Sequence, residues 1–229
     1  AAGLDPDRTR VVYNGIDPAR FRNPQRPLGW LKRELGITRP GLLVATIGQI
    51  GLRKAPDVLA EAAIRIDADI DYLVIGERLS RKAESVAFEE RVFARFAESA
   101  PSGRIHRLGY RRDVPELLAE IDLLVHPARQ EPLGRVLLEA AAAGRAILAT
   151  DVGGTREILT DGRTAILVPA DDPAALADEL ARLASSPTLR TRLGEAASEQ
   201  IAERFPINAA AEGLVAAWRE TLAEVDASV

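Results

Sequence analysis

Six short runs of apolar residues, each leading into a segment with helical spacing, constrain this chain more than any other feature of its sequence. The runs fall at 42–47, 72–75, 105–108, 123–125, 146–149 and 165–168. Most carry no polar residue at alternate positions, which marks a strand covered on both faces rather than on one. The stretches between them, 55–66, 83–97, 114–120, 135–143 and 155–159, are amphipathic with helical period. Strand alternating with helix predicts an α/β fold, a Rossmann-like doubly wound parallel sheet. Parallel crossovers are right-handed, so the strand C-termini share one edge, and a ligand belongs along it.

That edge is rich in Gly and Pro: Gly48, Gly76, Gly109, Pro127 and the pair Gly153-Gly154 follow the runs. Any one of them is a turn signal; together they let main chain approach a ligand closely. After the fourth run come two carboxylates around a Pro-Leu-Gly turn, Glu131-Pro-Leu133-Gly134-Arg135-Val136-Leu-Leu-Glu139. The turn opens an apolar helix, whose unpaired amides and partial positive charge suit a phosphate. A carboxylate one turn further on accepts hydrogen bonds and can grip two neighbouring sugar hydroxyls. This is the layout expected for a nucleotide-sugar site.

Beyond Pro169 the pattern becomes two surface helices, 172–184 and 188–204, with Asp171 or Asp172 as a cap and Pro173 in the first turn. Asn208 is expected to cap a last helix, 209–225, that carries Trp218. Near the start, 11–17 reads as a short strand and turn, followed by a loop to Phe21.

Composition removes several chemistries. With no Cys, disulfides, thiolate metal sites and thiol nucleophiles are excluded, and two unclustered His make a zinc site unexpected. The net charge of −4 argues against nucleic acid as a partner, so an anionic ligand needs a local positive site. No apolar run reaches the roughly 18 residues of a membrane span. Asp67-Ala-Asp69-Ile-Asp71 lies before a strand rather than after one, and reads as a polar helix-to-strand loop, not a metal motif.

In order along the chain stand Tyr13-Asn-Gly-Ile-Asp17, Gly48 to Lys54, Gly109 to Asp113, the Glu131/Glu139 segment, Thr150-Asp-Val-Gly-Gly154, Asp161-Gly162 and Leu167-Val-Pro169. With these pieces the chain resembles the C-terminal, donor-binding domain of a retaining GT-B glycosyltransferase of family 4, the glycosyl transferases group 1. The resemblance implies an interdomain linker region over 1–20, a nucleotide-sugar-binding domain over 21–205, and a C-terminal helix over 206–229 that crosses back toward an acceptor-binding N-terminal domain. That domain is not in this sequence, and the chain reads as a fragment expected to bind nucleotide but to transfer little alone.

The resemblance also assigns roles. Lys54 neutralises the donor diphosphate, where charge grows as the glycosidic bond breaks. Where the family commonly has Arg directly after the Gly at position 48, this chain has Gln49. Either Arg53 substitutes, or the donor is held with less charge. Glu139 accepts from the ribose 2′ and 3′ hydroxyls. Glu131 positions the transferred sugar and stabilises charge at the reacting centre. Gly134, Arg135 and Val136 present main-chain N–H groups to the diphosphate, and Leu133 before them is counted with the donor-binding residues. Gly109, Tyr110, Arg111 and Asp113 form the base-binding turn, with Tyr110 as core and Asp113 as a helix cap the competing reading. Gly76 and Glu77 face the cleft by backbone approach, His126 reads as core, and Gly153-Gly154 adds amides on the sugar side.

The implied substrate is a UDP- or GDP-linked sugar, with no cofactor and no bound metal. The acceptor, a sugar, lipid or small molecule, comes through the absent domain. A cytoplasmic setting is expected, with membrane attachment left open. A nucleotide-sugar epimerase or sugar phosphorylase of the same fold, and a non-catalytic nucleotide-binding or interaction domain, stand as alternatives. A glycosidase built on the two carboxylates is disfavoured by the Lys54 loop and the glycine edge.

Overall fold

The computed structural model describes residues 9–99 and 104–226, with the side chains of 99 and 224–226 left aside. In chain order the elements are α1 Ala19–Arg22, α2 Trp30–Glu34, β1 Leu42–Ile47, α3 Pro56–Ala63, β2 Ile70–Ile75, α4 Ala83–Ser99, β3 Ile105–Gly109, α5 Val114–Glu120, β4 Leu123–His126, α6 Arg135–Ala142, β5 Ala146–Thr150, α7 Thr155–Ile158, β6 Ile166–Val168, α8 Pro173–Ser185, α9 Pro187–Arg204 and α10 Ile207–Asp226. The six strands form one parallel sheet ordered β3-β2-β1-β4-β5-β6. The order reverses between β1 and β4, so a crevice opens at their C-termini, the place where such sheets hold ligands.

Side-chain alternation divides the core between the two faces. Leu43, Ala45, Leu73, Leu124 and Ile147 point into one layer, with α5, α6 and α9. Val44, Tyr72, Val74, Val125 and Leu148 point into the other, with α3, α4 and α8. Strands β2, β4 and β5 are buried along their whole length, which explains why their sequences lack polar alternation.

Several boundaries move. β2 begins at Ile70, so Asp71 is a strand residue rather than part of a polar loop. Its carboxylate is 1% exposed and is tolerated because Arg39 Nη2 at 2.6 Å and His106 Nε2 at 2.8 Å meet it. Residues 11–15 form no strand; only Ile16 bridges, to Pro206, with its N–H on Phe205 O and its carbonyl receiving Ile207 N–H. The expected loop to Phe21 contains α1, whose Ala19 N–H is taken by Asp17 Oδ1 at 3.0 Å. α2 is capped from a distance: Glu120 accepts from Gly29 N–H at 2.7 Å and Leu31 N–H at 3.3 Å.

At α8 the cap is Asp172, which accepts from Ala174 and Ala175, while Asp171 turns at φ 56. α9 starts at Pro187 behind a Ser186 cap, one residue before the expected start. α10 starts at Ile207, which places Asn208 inside the helix and not at its cap. Part of the proposed linker, residues 1–8, lies outside the described residues. Among the described residues no helix is long and apolar enough to cross a membrane.

Candidate functional site

Lys54 and Glu131 lie in the loops after β1 and β4, the two strands that flank the crevice. Tight backbone turns aim both. Gly51 O accepts the N–H groups of Lys54 and Ala55 at 3.1 Å each. Ala55 then adopts φ 50 although fully buried, a left-handed conformation that costs a non-glycine residue about 1 kcal/mol or more. That turn directs the Lys54 stem across Gly48, where a Cβ would sit 3.5 Å from Lys54 Cε.

Arg129 fastens the two loops together. Its guanidinium meets both oxygens of Asp57 (3.0 and 2.7 Å), Leu52 O at 2.9 Å and Asp171 at 2.6 Å, while its N–H donates to Arg53 O at 2.9 Å. Sequence reading missed this residue, because nothing local marks an Arg whose partners lie more than forty positions away.

The Glu131 carboxylate is 6% exposed and its Oε2 carries two donors, the Lys54 ammonium and His126 Nε2, the latter at 2.8 Å. Burial pushes its pKa up, but the hydrogen bonds from His126 and Lys54 outweigh that and hold it at about 2. An ionised carboxylate only accepts, so His126 carries its proton on Nε2. Burial, helped by the nearby Lys54 charge, depresses the His126 pKa against the opposing pull of Glu131 and favours the neutral ring. His126 is buried, as its sequence context suggested, and it also touches the site.

The Gly153-Gly154 turn serves Glu131 in a way its sequence did not suggest. Gly154 N–H donates to Glu131 O at 2.9 Å, so that amide is spent on the loop rather than offered to a sugar. A Cβ on Gly153 would lie 2.1 Å from Glu131 O, and one on Gly154 would lie 2.2 Å from Pro132 O. The glycines of the β1–β3 edge likewise approach one another: a Cβ on Gly76 would sit 1.9 Å from Gly48 O, and Gly76 N–H donates to Gly109 O at 2.7 Å.

Gly134, at φ 84, starts α6 without a side-chain cap. Leu137 and Leu138 N–H return to Gly134 O. The amides of Arg135 and Val136 have no acceptor among the described residues, which leaves the positive end of the helix open. Leu133 is partly buried against the core behind this turn. One turn on, Glu139 is held by Arg135 Nε at 3.0 Å, with the carboxylate side chain 15% exposed. Burial raises its pKa, and Arg135 and Arg20 counter the rise.

In the turn after β3, Tyr110 is 65% exposed, and its N–H donates to Glu77 Oε1 at 3.2 Å. The core alternative for Tyr110 is therefore excluded. Arg111 is bound by both Asp113 oxygens (2.8 and 2.6 Å) and by Glu34 at 3.0 Å, over the Trp30 ring. Those partners raise its pKa well above the ordinary value and occupy its side chain. Asp113 sits at the cap position of α5, but its side chain serves Arg111 and makes no cap bond. Gln49 and Arg53 line a cavity of about 430 Å³ with Lys54, Arg78, Ser80, Phe88 and Arg91; Glu131 is not part of its wall. No group of three or more His, Asp or Glu is placed to hold a metal among the described residues.

Comparison with known proteins places this geometry in context. The family model for glycosyl transferases group 1 matches residues 41–186. The D-inositol 3-phosphate glycosyltransferase of Streptomyces bingchenggensis is 30% identical over 242 residues, covering 96% of this chain and 49% of that protein. The alpha-maltose-1-phosphate synthase of Mycolicibacterium smegmatis is 31% identical, covering 96% of this chain and 59% of its own length. The chain thus spans about half the length of these curated relatives. The crystal structure of Anabaena HepE in complex with UDP-glucose superposes with a TM-score of 0.83 at 23% identity, over 100% of this chain and 60% of that one, a likeness of fold.

Proposed function

The chain belongs to the glycosyl transferases group 1, and from that premise we propose that it is the donor-binding half of a retaining, family 4 glycosyltransferase that takes a UDP- or GDP-linked sugar. One observation carries this reading: the acceptor-free amides of Arg135 and Val136 open α6 directly after the loop that carries Glu131, the partner of Lys54 from the loop after β1. A diphosphate there gains helix-terminus hydrogen bonds and the Lys54 cation at the group that accumulates charge as the sugar leaves. Glu139, one turn along α6, suits the ribose hydroxyls, and Glu131 suits the transferred sugar. In the turn after β3, Gly109 O and Tyr110 N–H are already taken, and the Arg111 N–H, without an acceptor among the described residues, suits the base. Lys54 and the helix start supply the positive field, and neither a metal nor a cofactor is invoked. HepE, solved with UDP-glucose, makes UDP the first nucleotide to try.

In this reading the acceptor arrives through a second half that the relatives' greater length accommodates, and the domain by itself transfers little. α10, with Leu214 (43%), Val215 (41%), Trp218 (62%) and Leu222 (64%) exposed, is the face offered to that half.

Calorimetric titration with UDP and GDP tests the proposal. One of them binds, and Glu139→Ala weakens it by about 1.5–3 kcal/mol, the worth of hydrogen bonds to a charged group. An unaltered affinity in that variant removes Glu139 from the nucleotide site.

A further inference from the structure

Lys54 and His126 converge on a single oxygen of Glu131, Oε2, and leave Oε1 without a protein donor among the described residues. The proposed function requires Lys54 to turn toward a phosphate. Glu131 then loses one of two partners while it stays nine-tenths buried, and a buried carboxylate without compensation takes up a proton. We propose that His126 is the positioning residue that keeps Glu131 ionised and aimed while Lys54 is engaged by the diphosphate. This deepens the donor-site reading and rests on it.

The two partners differ in the way such a handover needs. Lys54 sits on a loop at the end of a flexible four-carbon stem, and its ammonium can swing between two anions. His126 closes β4, where it is paired to Ala149 of β5. Its ring is 2% exposed and is fixed by the strand that carries it. A neutral ring donates to Glu131 without adding a second charge that would compete for the phosphate. The charged or titratable groups acting on Glu131 are His126 from β4 and Lys54 from the loop after β1, and Arg53 of that loop acts on His126; the Gly153-Gly154 turn brings none. With Oε2 held by His126, Oε1 remains for a sugar hydroxyl.

The test begins with this chain carrying ¹⁵N-histidine, whose only two imidazoles are His106 and His126. His126 shows the neutral Nε2–H tautomer both free and with UDP-glucose bound. The opposite tautomer or an imidazolium in the complex overturns the proposal, whether or not any variant folds. Calorimetry in two buffers of different ionisation enthalpy supplies the second arm. His126→Leu takes up about one proton on binding UDP-glucose near pH 7, which the wild type does not. It also loses about tenfold of the preference for UDP-glucose over UDP. His126→Gln, which restores an N–H of similar reach, recovers both properties. The variant's affinity relative to wild type falls as pH rises through the neutral range, because its binding consumes a proton; the nucleotide's own ionisation is common to both. A folded His126→Leu with wild-type proton balance and sugar preference contradicts the proposal. If the wild-type chain binds neither UDP nor GDP nor their sugar conjugates, the donor-site reading itself fails, and this inference falls with it.

Discussion

Lys54→Met costs this chain about 3 kcal/mol of affinity for a nucleoside diphosphate, and in the complete enzyme lowers turnover by about two to three orders of magnitude. The size follows from where the ammonium sits. It is partly buried, with its stem packed across Gly48, and the field it provides is less screened than that of a surface lysine. Norleucine-like Met keeps the packing and removes only the charge. The loss therefore appears with UDP far more than with UMP, since only the diphosphate needs a cation at the second phosphorus. Arg is not an equivalent replacement, because its planar fork cannot occupy the point contact that Lys54 makes with Glu131. The same change leaves Glu131 with His126 alone, so the fold loses up to about 3 kcal/mol, readable as a lower denaturation midpoint. Equal weakening of UDP and UMP would remove Lys54 from the diphosphate.

Gly153→Ala is expected to destabilise the fold by about 2–4 kcal/mol and to displace the Glu131 loop. Two costs combine. Gly153 sits at φ 50, which an L side chain adopts at a cost of about 1 kcal/mol. The new Cβ would also meet Glu131 O at 2.1 Å, and that atom is backbone, which no rotamer change can move aside. Relief requires the α7 turn to withdraw, which breaks the Gly154 N–H to Glu131 O bond at 2.9 Å. Gly36→Ala separates the two costs, because Gly36 has a similar φ of 66 and nothing within 4 Å of a Cβ. Urea denaturation of both variants should give a small loss at Gly36 and a loss at least twice as large at Gly153. Equal losses would mean that the close approach to Glu131 carries no energy.

Much of this architecture was legible because burial writes itself into sequence. The apolar runs of β2, β4 and β5 lack alternation, since each is covered on both faces, and the crossover rule turns such runs into a ligand-bearing edge. Lys54 and the Glu131-to-Glu139 segment were placed at that edge by their positions after the first and fourth strands. What stayed hidden depends on partners distant in sequence. α2 is five residues long and takes its cap from Glu120, some ninety positions later, so no local signal marks it. Asp71 looked like a loop acid because its compensation comes from Arg39 and His106. Gly76 and Gly153 looked like turns open to a ligand, whereas their space is filled by the carbonyls of Gly48 and Glu131. His126 is the instructive intermediate: a lone buried histidine is correctly read as core, and only the fold shows that the core atom it meets is a carboxylate of the site.

The central claim is that the open end of α6 and Lys54 together hold a pyrophosphate. A crystal structure of this chain with UDP or GDP, whichever raises its melting temperature, tests it most directly. The account predicts phosphate oxygens about 3 Å from the Arg135 and Val136 amides and from Lys54 Nζ, with the ribose hydroxyls on Glu139 and Lys54 withdrawn from Glu131. A nucleotide seated elsewhere, or one bound beside an undisturbed Lys54–Glu131 pair, would contradict it.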